Sequence, residues 1–290
     1  MEALFYEPIG DKKVHCFLCP HDCKIIPEKF GVCGVRQNIN GKLFTHIYGK
    51  VSSIANDPIE KKPLYHFHPG TMVMSVGTIG CNMKCGHCQN WTISHITAKD
   101  SISLQTISPK ELVQIAIQNK SAGIAWTYNE PTIWFEYCLD GAKLAKKRGL
   151  YTVWVTNGYI NIPPLDMIGP YLDAYRVDIK AFNNDVYRKL CKIPDFKPVL
   201  ESAVRAKKKW NMHVEIVTNI IPTINDDDKQ LKHIAGWISN SLGPETPWHV
   251  TRFFPYLDYK HLPPTPIETL KRAKEIGLAA GLKNIHIGNV

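Results

Sequence analysis

The sequence predicts an α/β fold in which a partial barrel of parallel strands follows a small cysteine-rich N-terminal segment. From residue 71 onward, apolar runs of strand length alternate with helical patterns. Repeated strand–helix units are typical of a parallel sheet with helices outside it. Residues 1–70 instead contain four cysteines, several glycines and prolines, and no long helical pattern. We therefore divide the chain into a metal-binding segment (1–70) and a barrel domain (71–290).

The predicted elements of the barrel domain follow one another at regular intervals. The strands are the apolar runs at 72–76, 122–126, 151–155, 174–179, 213–217, 248–254 and 284–287. The helices between and after them are predicted at 109–119, 131–147, 163–168, 184–190, 198–210, 226–240 and 266–280. Six strand–helix units before the last helix and strand are fewer than the eight of a closed barrel. The count therefore fits an open, partial (β/α)6 TIM-like barrel.

Size and composition limit the class of protein. The chain has 290 residues, of which 44% are hydrophobic and 21% are charged, enough for one large domain and a small one. No segment approaches the apolar length that crosses a bilayer. The N-terminus also lacks the basic stretch followed by an apolar stretch that is typical of a secretory signal. We therefore expect a cytoplasmic protein with no membrane partner.

The formal net charge of +9 raises the question of an acidic partner. The lysines and arginines are spread along the chain, with local runs only at 146–148 and 207–209. Both runs lie near the ends of predicted helices, where cations interact favourably with the helix dipole. The charge therefore indicates a basic surface rather than a nucleic-acid partner.

Nine cysteines are many for a chain of this length. Their number is odd, their spacing is tight, and no secretory signal precedes them. Reduced, metal-binding thiols are therefore a better interpretation than a disulfide framework.

The most informative motif is Cys81-x3-Cys85-x2-Cys88, directly after the first strand of the barrel. This spacing can place three sulfurs on one iron–sulfur cube and leave the fourth iron without a protein ligand. A structural zinc site normally has four ligands. His87 would supply the fourth only if its ring folded back between Cys85 and Cys88. The spacing therefore favours an iron–sulfur cluster.

Polar residues recur after the later predicted strands. Reactive residues of parallel β/α folds lie at the C-terminal ends of the strands. We therefore expect one mouth formed by Asn129, Glu130, Thr156, Asn157, Asp178, Lys180, Asn219 and Arg252.

The cysteine motif, with an aromatic-type residue before its last cysteine, resembles the cluster motif of the radical SAM superfamily. His87 has this position, which in the family lies near the adenine of S-adenosylmethionine. The segment 127–131, Thr-Tyr-Asn-Glu-Pro, is similar to the Gly-Gly-Glu-Pro turn that binds the methionine amino group. The segments 156–158 and 177–180 are similar to the next two strand ends of glycyl-radical-enzyme activases, such as pyruvate formate-lyase activating enzymes. This resemblance covers residues from about 72 to 256.

A closer resemblance extends over nearly the whole chain. The segments 57–66, 69–70 and 88–90, with the N-terminal cysteine motifs, resemble the radical SAM member of the AmmeMemoRadiSam system. Two differences matter. Activases usually have an Asp where this chain has Val155, which leaves open whether a cation is held there. Members of the closer family often continue past a Gly-Asn-Val into a cysteine-containing tail, whereas this sequence ends with those three residues at 288–290. Either the protein is a short member of that family or its tail is missing from this sequence.

The resemblance implies a radical SAM enzyme in which Cys81, Cys85 and Cys88 bind a 4Fe–4S cluster and the open iron chelates S-adenosylmethionine. One electron from an external flavodoxin- or ferredoxin-like donor then cleaves the cofactor, and the resulting radical abstracts a hydrogen atom from an unidentified small-molecule or protein substrate. No catalytic residue is assigned. The cofactor-binding residues it implies are His87, Thr127, Tyr128, Asn129, Glu130, Asn157, Asp178, Lys180 and Asn219.

Two other functions stay open at this point. A glycyl-radical-enzyme activase would act on a glycine of a partner protein. A non-catalytic iron–sulfur or zinc module would use its thiols only as structural ligands, although the polar residues at the strand ends speak against it.

The N-terminal cysteines Cys16, Cys19, Cys23 and Cys33 supply four thiols, enough for a second metal site. A structural zinc is sufficient to stabilise so small a segment. A second iron–sulfur cluster that relays electrons is the alternative. Cys138 and Cys191 are predicted to be inert buried thiols.

Overall fold

The structure is a computed structural model that describes residues 1–100 and 103–290. The N-terminal segment consists of short strands, namely β1 (Tyr6–Pro8), β2 (Val14–Cys16), β3 (Cys23–Ile25), β4 (Arg36–Ile39), β5 (Lys42–Thr45), β6 (Lys50–Val51) and β7 (Ser53–Pro58). Strands β1, β2 and β3 form an antiparallel sheet, and β4 and β5 form a hairpin. The hairpin loops bring the N-terminal cysteines to one place.

The later strands are β8 (Met72–Gly77), β9 (Gln105–Thr106), β10 (Gly123–Trp126), β11 (Tyr151–Thr156), β12 (Ala174–Asp178), β13 (His213–Ile220), β14 (Trp248–Arg252) and β15 (Ile285–Gly288). Except for β9, which pairs with β6, they form one sheet with β7, in the order β15-β14-β13-β12-β11-β10-β8-β7. All neighbours are parallel except β7 and β8. The predicted partial-barrel fold is confirmed, with one antiparallel strand added at its edge.

That edge strand, β7, lies in the segment that the sequence assigned to the N-terminal domain. It pairs with β8 over its whole length, from Ser53 opposite Gly77 to Pro58 opposite Met72. The division of the chain at residue 70 stays a prediction, and β7 joins the two parts through a continuous ladder.

The helices cover the outer face of the sheet. They are α1 (Trp91–Ser94), α2 (Pro109–Gln118), α3 (Phe135–Lys147), α4 (Ile162–Ile168), α5 (Asn184–Cys191), α6 (Lys197–Lys208), α7 (Asp228–Trp237) and α8 (Ile267–Ala279). Helix α2 begins at a capping box in which Ser108 and Glu111 bind each other's backbone N–H. Ahead of α3 there is a 3-10 turn, Pro131–Trp134, so the predicted helix at 131–147 forms in two parts.

Packing between α3 and the sheet depends on a glycine. A Cβ atom at Gly141 would lie 2.7 Å from the Trp126 ring, which is fully buried on β10. Only glycine allows this approach, because real Cβ atoms do not come so close. The position of α3 places the preceding turn at the C-terminal end of β10.

The N-terminal end of the barrel is closed by residues 59–70, which we call the base segment. Its buried side chains Ile59, Leu64 and Phe67 pack against residues near the starts of the strands, including Tyr151 and Ala174. These apolar contacts block this end of the barrel, so the opposite end of the strands is the one available for a site. No helix in the described part of the chain has the length and apolar character needed to cross a bilayer.

Candidate cofactor site

The cysteine motif lies in the loop between β8 and α1, residues 78–90, which we call the cluster loop. Cys81 and Cys85 are buried, and Cys88 is half-buried. The loop is fixed to the end of α5, because the N–H of Gly86 donates to the Leu190 carbonyl at 3.0 Å. The three thiols therefore have defined positions below the surface.

The thiols are protonated in the absence of a metal. Burial raises the pKa of Cys81 and of Cys88. A hydrogen bond with Cys191, and then burial, raise the pKa of Cys85 well above its usual value. Cys191 was predicted to be an inert buried thiol. It is buried, but it contacts a predicted cluster ligand, a neighbourhood that sequence spacing does not reveal.

The three thiols suit a multi-iron cluster better than a single metal ion. Among the described residues, no three His, Cys, Asp or Glu side chains approach closely enough to hold a single metal ion. Three thiolates on a cube each bind a different iron, so they need not share one ion. Next to them, the His87 ring is buried and its Nδ1 has no hydrogen-bond partner among the described residues. These features fit a cluster with an additional ligand beside it.

His87 is neutral at physiological pH. Burial, and then the nearby Lys180, lower the pKa of His87 to about 3. A neutral aromatic ring with one free ring nitrogen can contact a flat heterocycle. The structure therefore leaves His87 available for the role that the resemblance implies.

Glu130 joins the ends of β10 and β11. Its carboxylate accepts hydrogen bonds from the Thr156 hydroxyl at 2.6 Å, the Asn157 N–H at 2.8 Å and the Thr132 N–H at 3.0 Å. Burial outweighs these bonds and raises the pKa of Glu130. A carboxylate has about four acceptor positions, so one remains for a cationic group.

The remaining residues of the turn before Glu130 have structural partners. Asn129 accepts from the Thr78 N–H at 3.1 Å and donates to the Gly80 carbonyl at 2.9 Å, which holds the cluster loop from both sides. Thr127 is buried and its N–H donates to Val76.

Tyr128 points its side chain away from the cysteines. Its hydroxyl donates to Asp57 at 3.1 Å, and Lys62 lies over its ring at 4.9 Å. Its φ of 71° is in the left-handed region, which is unusual for a bulky residue. The turn therefore offers a ligand the Tyr128 backbone rather than its side chain.

Asn157 contacts the cysteine motif directly. Its side-chain N–H group lies 3.6 Å from Cys81 Sγ and 2.9 Å from Asn82 Oδ1. An amide that donates to a cysteine sulfur stabilises negative charge there. The structure thus brings Glu130, Asn157 and Cys81 together.

Asp178 lies between two cations at the end of β12. Its carboxylate oxygens are 2.5 Å from Arg176 Nη1 and 2.9 Å from Lys180 Nζ. Burial raises the pKa of Asp178, but the two cations outweigh burial and hold the pKa below its usual value. Burial lowers the pKa of Lys180, but the nearby Asp178 and Cys85 outweigh burial and raise the pKa. Lys180 is therefore a cation next to both the cluster loop and His87.

Arg176 was missed by the sequence reasoning. Its Nε is buried and has no hydrogen-bond partner among the described residues. Alternation along β12 puts positions 176, 178 and 180 on one face, so the pattern contained a signal for it.

Asn219, on β13, and Arg252, at the end of β14, have hydrogen-bond partners in neighbouring segments. The Asn219 amide donates to the Thr251 hydroxyl at 3.2 Å and to the Arg252 carbonyl at 3.1 Å. Arg252 Nε donates to the Thr265 carbonyl at 2.9 Å. These contacts connect neighbouring chain segments.

The four N-terminal cysteines are neighbours, although no three of them are placed as ligands of one metal ion. Cys16 and Cys23 are opposite each other in β2 and β3. Burial, and then the charges of the other three thiols, raise the pKa of Cys19. Arg36 Nη1 lies 3.8 Å from Cys16 Sγ, and its guanidinium also pairs with buried Glu136. We call Cys16, Cys19, Cys23 and Cys33 the quartet.

The Radical SAM superfamily model matches residues 75–235, more than half of the chain. The "Uncharacterized protein MJ0808" of Methanocaldococcus jannaschii is 45% identical over 289 residues, which cover 100% of this chain and 85% of the relative. The pyruvate formate-lyase-activating enzyme of Clostridium pasteurianum is 24% identical over 215 residues, covering 71% of this chain and 88% of the relative. The chain belongs to the radical SAM superfamily and is related to pyruvate formate-lyase activating enzymes.

A solved structure agrees with the fold. The radical SAM methyltransferase from Sphaerobacter thermophilus superposes with a TM-score of 0.60 at 16% identity, covering 77% of this chain and 68% of that chain. Membership implies a 4Fe–4S cluster and S-adenosylmethionine as cofactors, as expected from the cysteine motif.

Proposed function

We propose that the protein is an enzyme that cleaves S-adenosylmethionine reductively and abstracts a hydrogen atom from a substrate that is not yet identified. The observation that supports it most is the convergence of four strand ends: Asn157 contacts Cys81, and Lys180 lies beside Cys85 and His87. When bound, the cluster and S-adenosylmethionine supply the electron transfer and radical chemistry.

The chain's own residues bind and orient these groups. Cys81, Cys85 and Cys88 would ligate the cluster. Asn157 donates an N–H to Cys81, and the charge of Lys180 stabilises the Cys85 thiolate. These contacts favour the ionised thiols that a metal requires.

The residues of the turn after β10 would hold the amino-acid end of S-adenosylmethionine. Glu130 retains acceptor capacity for its ammonium group, and the backbone at Thr127, Tyr128 and Asn129 is held in place by the bonds described above. Asp178 and Lys180 offer a carboxylate and an ammonium group beside His87. Asn219 is a weaker candidate, because its amide is bonded to β14.

The base segment contributes by closing the other end of the barrel. Its apolar side chains fill the space around Val73, Ala125 and Val153. Radical chemistry requires that water and stray hydrogen donors be excluded from the site. Closure of the opposite end by the base segment contributes to that exclusion.

An external electron donor of flavodoxin or ferredoxin type, and a cytoplasmic location, remain predictions. So does the content of the quartet, for which we propose a structural zinc or a second iron–sulfur cluster. Metal analysis of anaerobically prepared protein separates these contents, because a zinc site contributes one zinc per chain and a second cluster contributes additional iron.

A glycyl-radical-enzyme activase is the second candidate. The observation in its favour is the relatedness to pyruvate formate-lyase-activating enzyme and, over 127 residues at 24% identity, to the (2S)-3-sulfopropanediol dehydratase activating enzyme of Klebsiella oxytoca. An activase would leave a stable glycine radical on a partner protein, which electron paramagnetic resonance (EPR) detects.

The test of the main proposal is product formation. Full-length protein is reconstituted anaerobically, reduced with dithionite and given S-adenosylmethionine, and 5′-deoxyadenosine is quantified. We expect product from the wild type and from Cys138→Ala, which removes a buried thiol of α3. Absence of product from protein that holds its cluster would contradict the enzymatic function and favour a non-catalytic module.

A further inference from the structure

The N-terminal segment contacts the cluster loop at two points that flank Cys81. On one side, His21, which lies between Cys19 and Cys23, places its Nε2 2.6 Å from the Asn82 carbonyl oxygen. On the other side, a Cβ atom at Gly80 would lie only 3.0 Å from the Cys33 carbonyl oxygen. The residues immediately before and after Cys81 are thus both fixed by loops of the quartet.

The His21 contact has a defined direction. A carbonyl oxygen only accepts, so the proton lies on Nε2 and His21 is the donor. The ring also packs edge-on against Tyr159, with centroids 5.2 Å apart. His21 is therefore held in one orientation by a polar and an aromatic contact.

Asn82 transmits this contact to the cysteine sulfur. Its side-chain N–H group donates to the Tyr159 carbonyl at 2.7 Å, and its Oδ1 accepts from Asn157 at 2.9 Å. The same Asn157 amide lies 3.6 Å from Cys81 Sγ. His21 thus supports the residue that orients the N–H group at this sulfur.

Gly80 fixes the other side of Cys81. Its φ of +83° is in the left-handed region, and a Cβ there would also lie 2.7 Å from Val35. Because both the conformation and the close approach exclude a side chain, the loop before Cys81 follows the surface formed by residues 33–35.

We infer that the quartet is a positioning site for the 4Fe–4S cluster at Cys81, Cys85 and Cys88, with His21 as the positioning residue. A metal in the quartet would hold Cys19 and Cys23 on either side of His21 and so keep its ring against Asn82. Hydrogen bonds near cluster sulfurs set the reduction potential and the stability of a cluster. The inference rests on the proposed function for the identity of that cluster, and it holds for either metal in the quartet.

The test compares His21→Ala, which removes the donor, with His21→Gln, which keeps an N–H donor. The matched control is His15→Ala, since His15 also neighbours a quartet cysteine but its ring lies 3.1 Å from Glu7. Each full-length protein is reconstituted anaerobically, and EPR-monitored redox titration gives the midpoint potential and g values. Cys85→Ala protein identifies any signal that comes from the quartet.

We expect His21→Ala to lower the midpoint potential and change the g values, because without this contact Asn82 would hold the Asn157 N–H less firmly at Cys81 Sγ, where it favours the more negative, reduced cluster. Iron release to a chelator should become roughly threefold to tenfold faster, the size expected for one lost hydrogen bond. His21→Gln and His15→Ala should match the wild type. A His21→Ala protein with wild-type potential and g values would overturn the inference.

A second variant addresses the quartet itself. Cys23→Ser should reproduce the shifted potential of His21→Ala, and the double variant should shift it no further, because both changes act through the same contact. If Cys23→Ser instead slowed only the reduction by a protein donor, with potential and g values unchanged, the quartet would be an electron relay and the inference would be wrong.

The proposed function and the positioning role of the quartet can be contradicted independently of each other. A wild-type protein that binds no cluster would contradict the proposed function. A wild type that forms 5′-deoxyadenosine, together with an unaffected cluster in His21→Ala, would contradict only the positioning role.

Discussion

The two ends of the same barrel differ in how their buried polar groups are satisfied. At the N-terminal end, Glu215 is fully buried and accepts from the N–H groups of Tyr65 and His66 at 3.2 and 2.8 Å and from the rings of His213 and His249 at 2.9 and 2.6 Å. Every acceptor position faces a donor of the protein. This end is complete without a ligand.

The C-terminal end contains a buried polar atom that is not paired. Within the described residues, His87 Nδ1 in the cluster loop has no hydrogen-bond partner. The three cysteine thiols need a cation to become thiolates, because burial, and at Cys85 first a hydrogen bond with Cys191, raise their pKa. Buried polar groups are normally paired, so an unpaired one calls for an explanation, and a bound ligand is one such explanation.

One set of strands therefore serves two purposes. Side chains that face the barrel interior continue from the base, through Arg176, to Asp178 and Lys180 at the mouth. We propose that the satisfied end stabilises the fold and that the cofactors bind at the opposite end. Substitutions at the two ends should therefore affect different measurements.

The largest effect is expected from Cys85→Ala at the cofactor end. Loss of one ligand should remove the cluster, so iron should fall by about four per chain and 5′-deoxyadenosine should disappear. The thermal midpoint should change little relative to metal-free wild type. Iron analysis and circular dichroism check both points, with Cys138→Ala as the control, and full retention of the cluster would refute the ligand assignment.

Glu215→Gln at the base should have the next largest effect. It removes the charge from a buried cluster of four hydrogen bonds, so we expect a loss of about 3 kcal/mol in the free energy of unfolding. Urea unfolding measures this, and Glu245→Gln, at an exposed pair with Lys283, should cost little.

In the same Glu215→Gln protein, product formation per folded, cluster-loaded chain should stay at the wild-type level. A specific loss of product there would show that the base takes part in the chemistry and would end the distinction between the two ends.

In contrast to Glu215→Gln, Lys180→Met should affect S-adenosylmethionine binding more than the free energy of unfolding. Asp178 keeps its pair with Arg176, so stability should change modestly. Loss of the ammonium group beside His87 and Cys85 should weaken S-adenosylmethionine binding about tenfold, the size of one charge-assisted interaction. Equilibrium binding to the reconstituted protein checks this against the exposed control Lys229→Met, and unchanged affinity would argue against the role of Lys180.

The smallest effect concerns acid stability of the base. Burial raises the pKa of Glu215, but hydrogen bonds from His213, His249 and the His66 N–H outweigh it and hold the pKa below the usual value. The ionised Glu215 carboxylate therefore stabilises the fold above about pH 4.3, and this stabilisation is lost as the pH falls. Between pH 5 and pH 4 the loss in the free energy of unfolding should be about 0.5 kcal/mol.

Urea unfolding of wild type and Glu215→Gln at both pH values measures this contribution as the change in the difference between the two proteins. We expect the difference to shrink on acidification, and a difference that grew would contradict a lowered pKa for Glu215.

Much of the fold was predictable because the strands of the barrel are continuous apolar runs. Strand β7 was missed because its sequence, Ser-Ile-Ala-Asn-Asp-Pro, has few apolar residues and ends in two residue types that are depleted in strands. It forms as an edge strand because its backbone pairs with the N–H and C=O groups at the open edge of β8. Such a partner is visible only in the tertiary structure.

Candidate site residues could be assigned from the sequence where they lie in local motifs, as at Cys81, Cys85 and Cys88, and their role stays a prediction. Contacts between distant segments were not, since no local pattern encodes them. The hydrogen bond from His21 to Asn82 and the contact of Cys191 with Cys85 join residues that are far apart in sequence.

The most direct test of the cofactor end is the EPR spectrum of the reduced, reconstituted protein before and after addition of S-adenosylmethionine. If the open iron binds the cofactor, the spectrum of the wild type should change on addition, and Cys85→Ala should lack the responsive signal. A wild-type 4Fe–4S spectrum that S-adenosylmethionine leaves unchanged would contradict the assignment of this end of the barrel as the cofactor site.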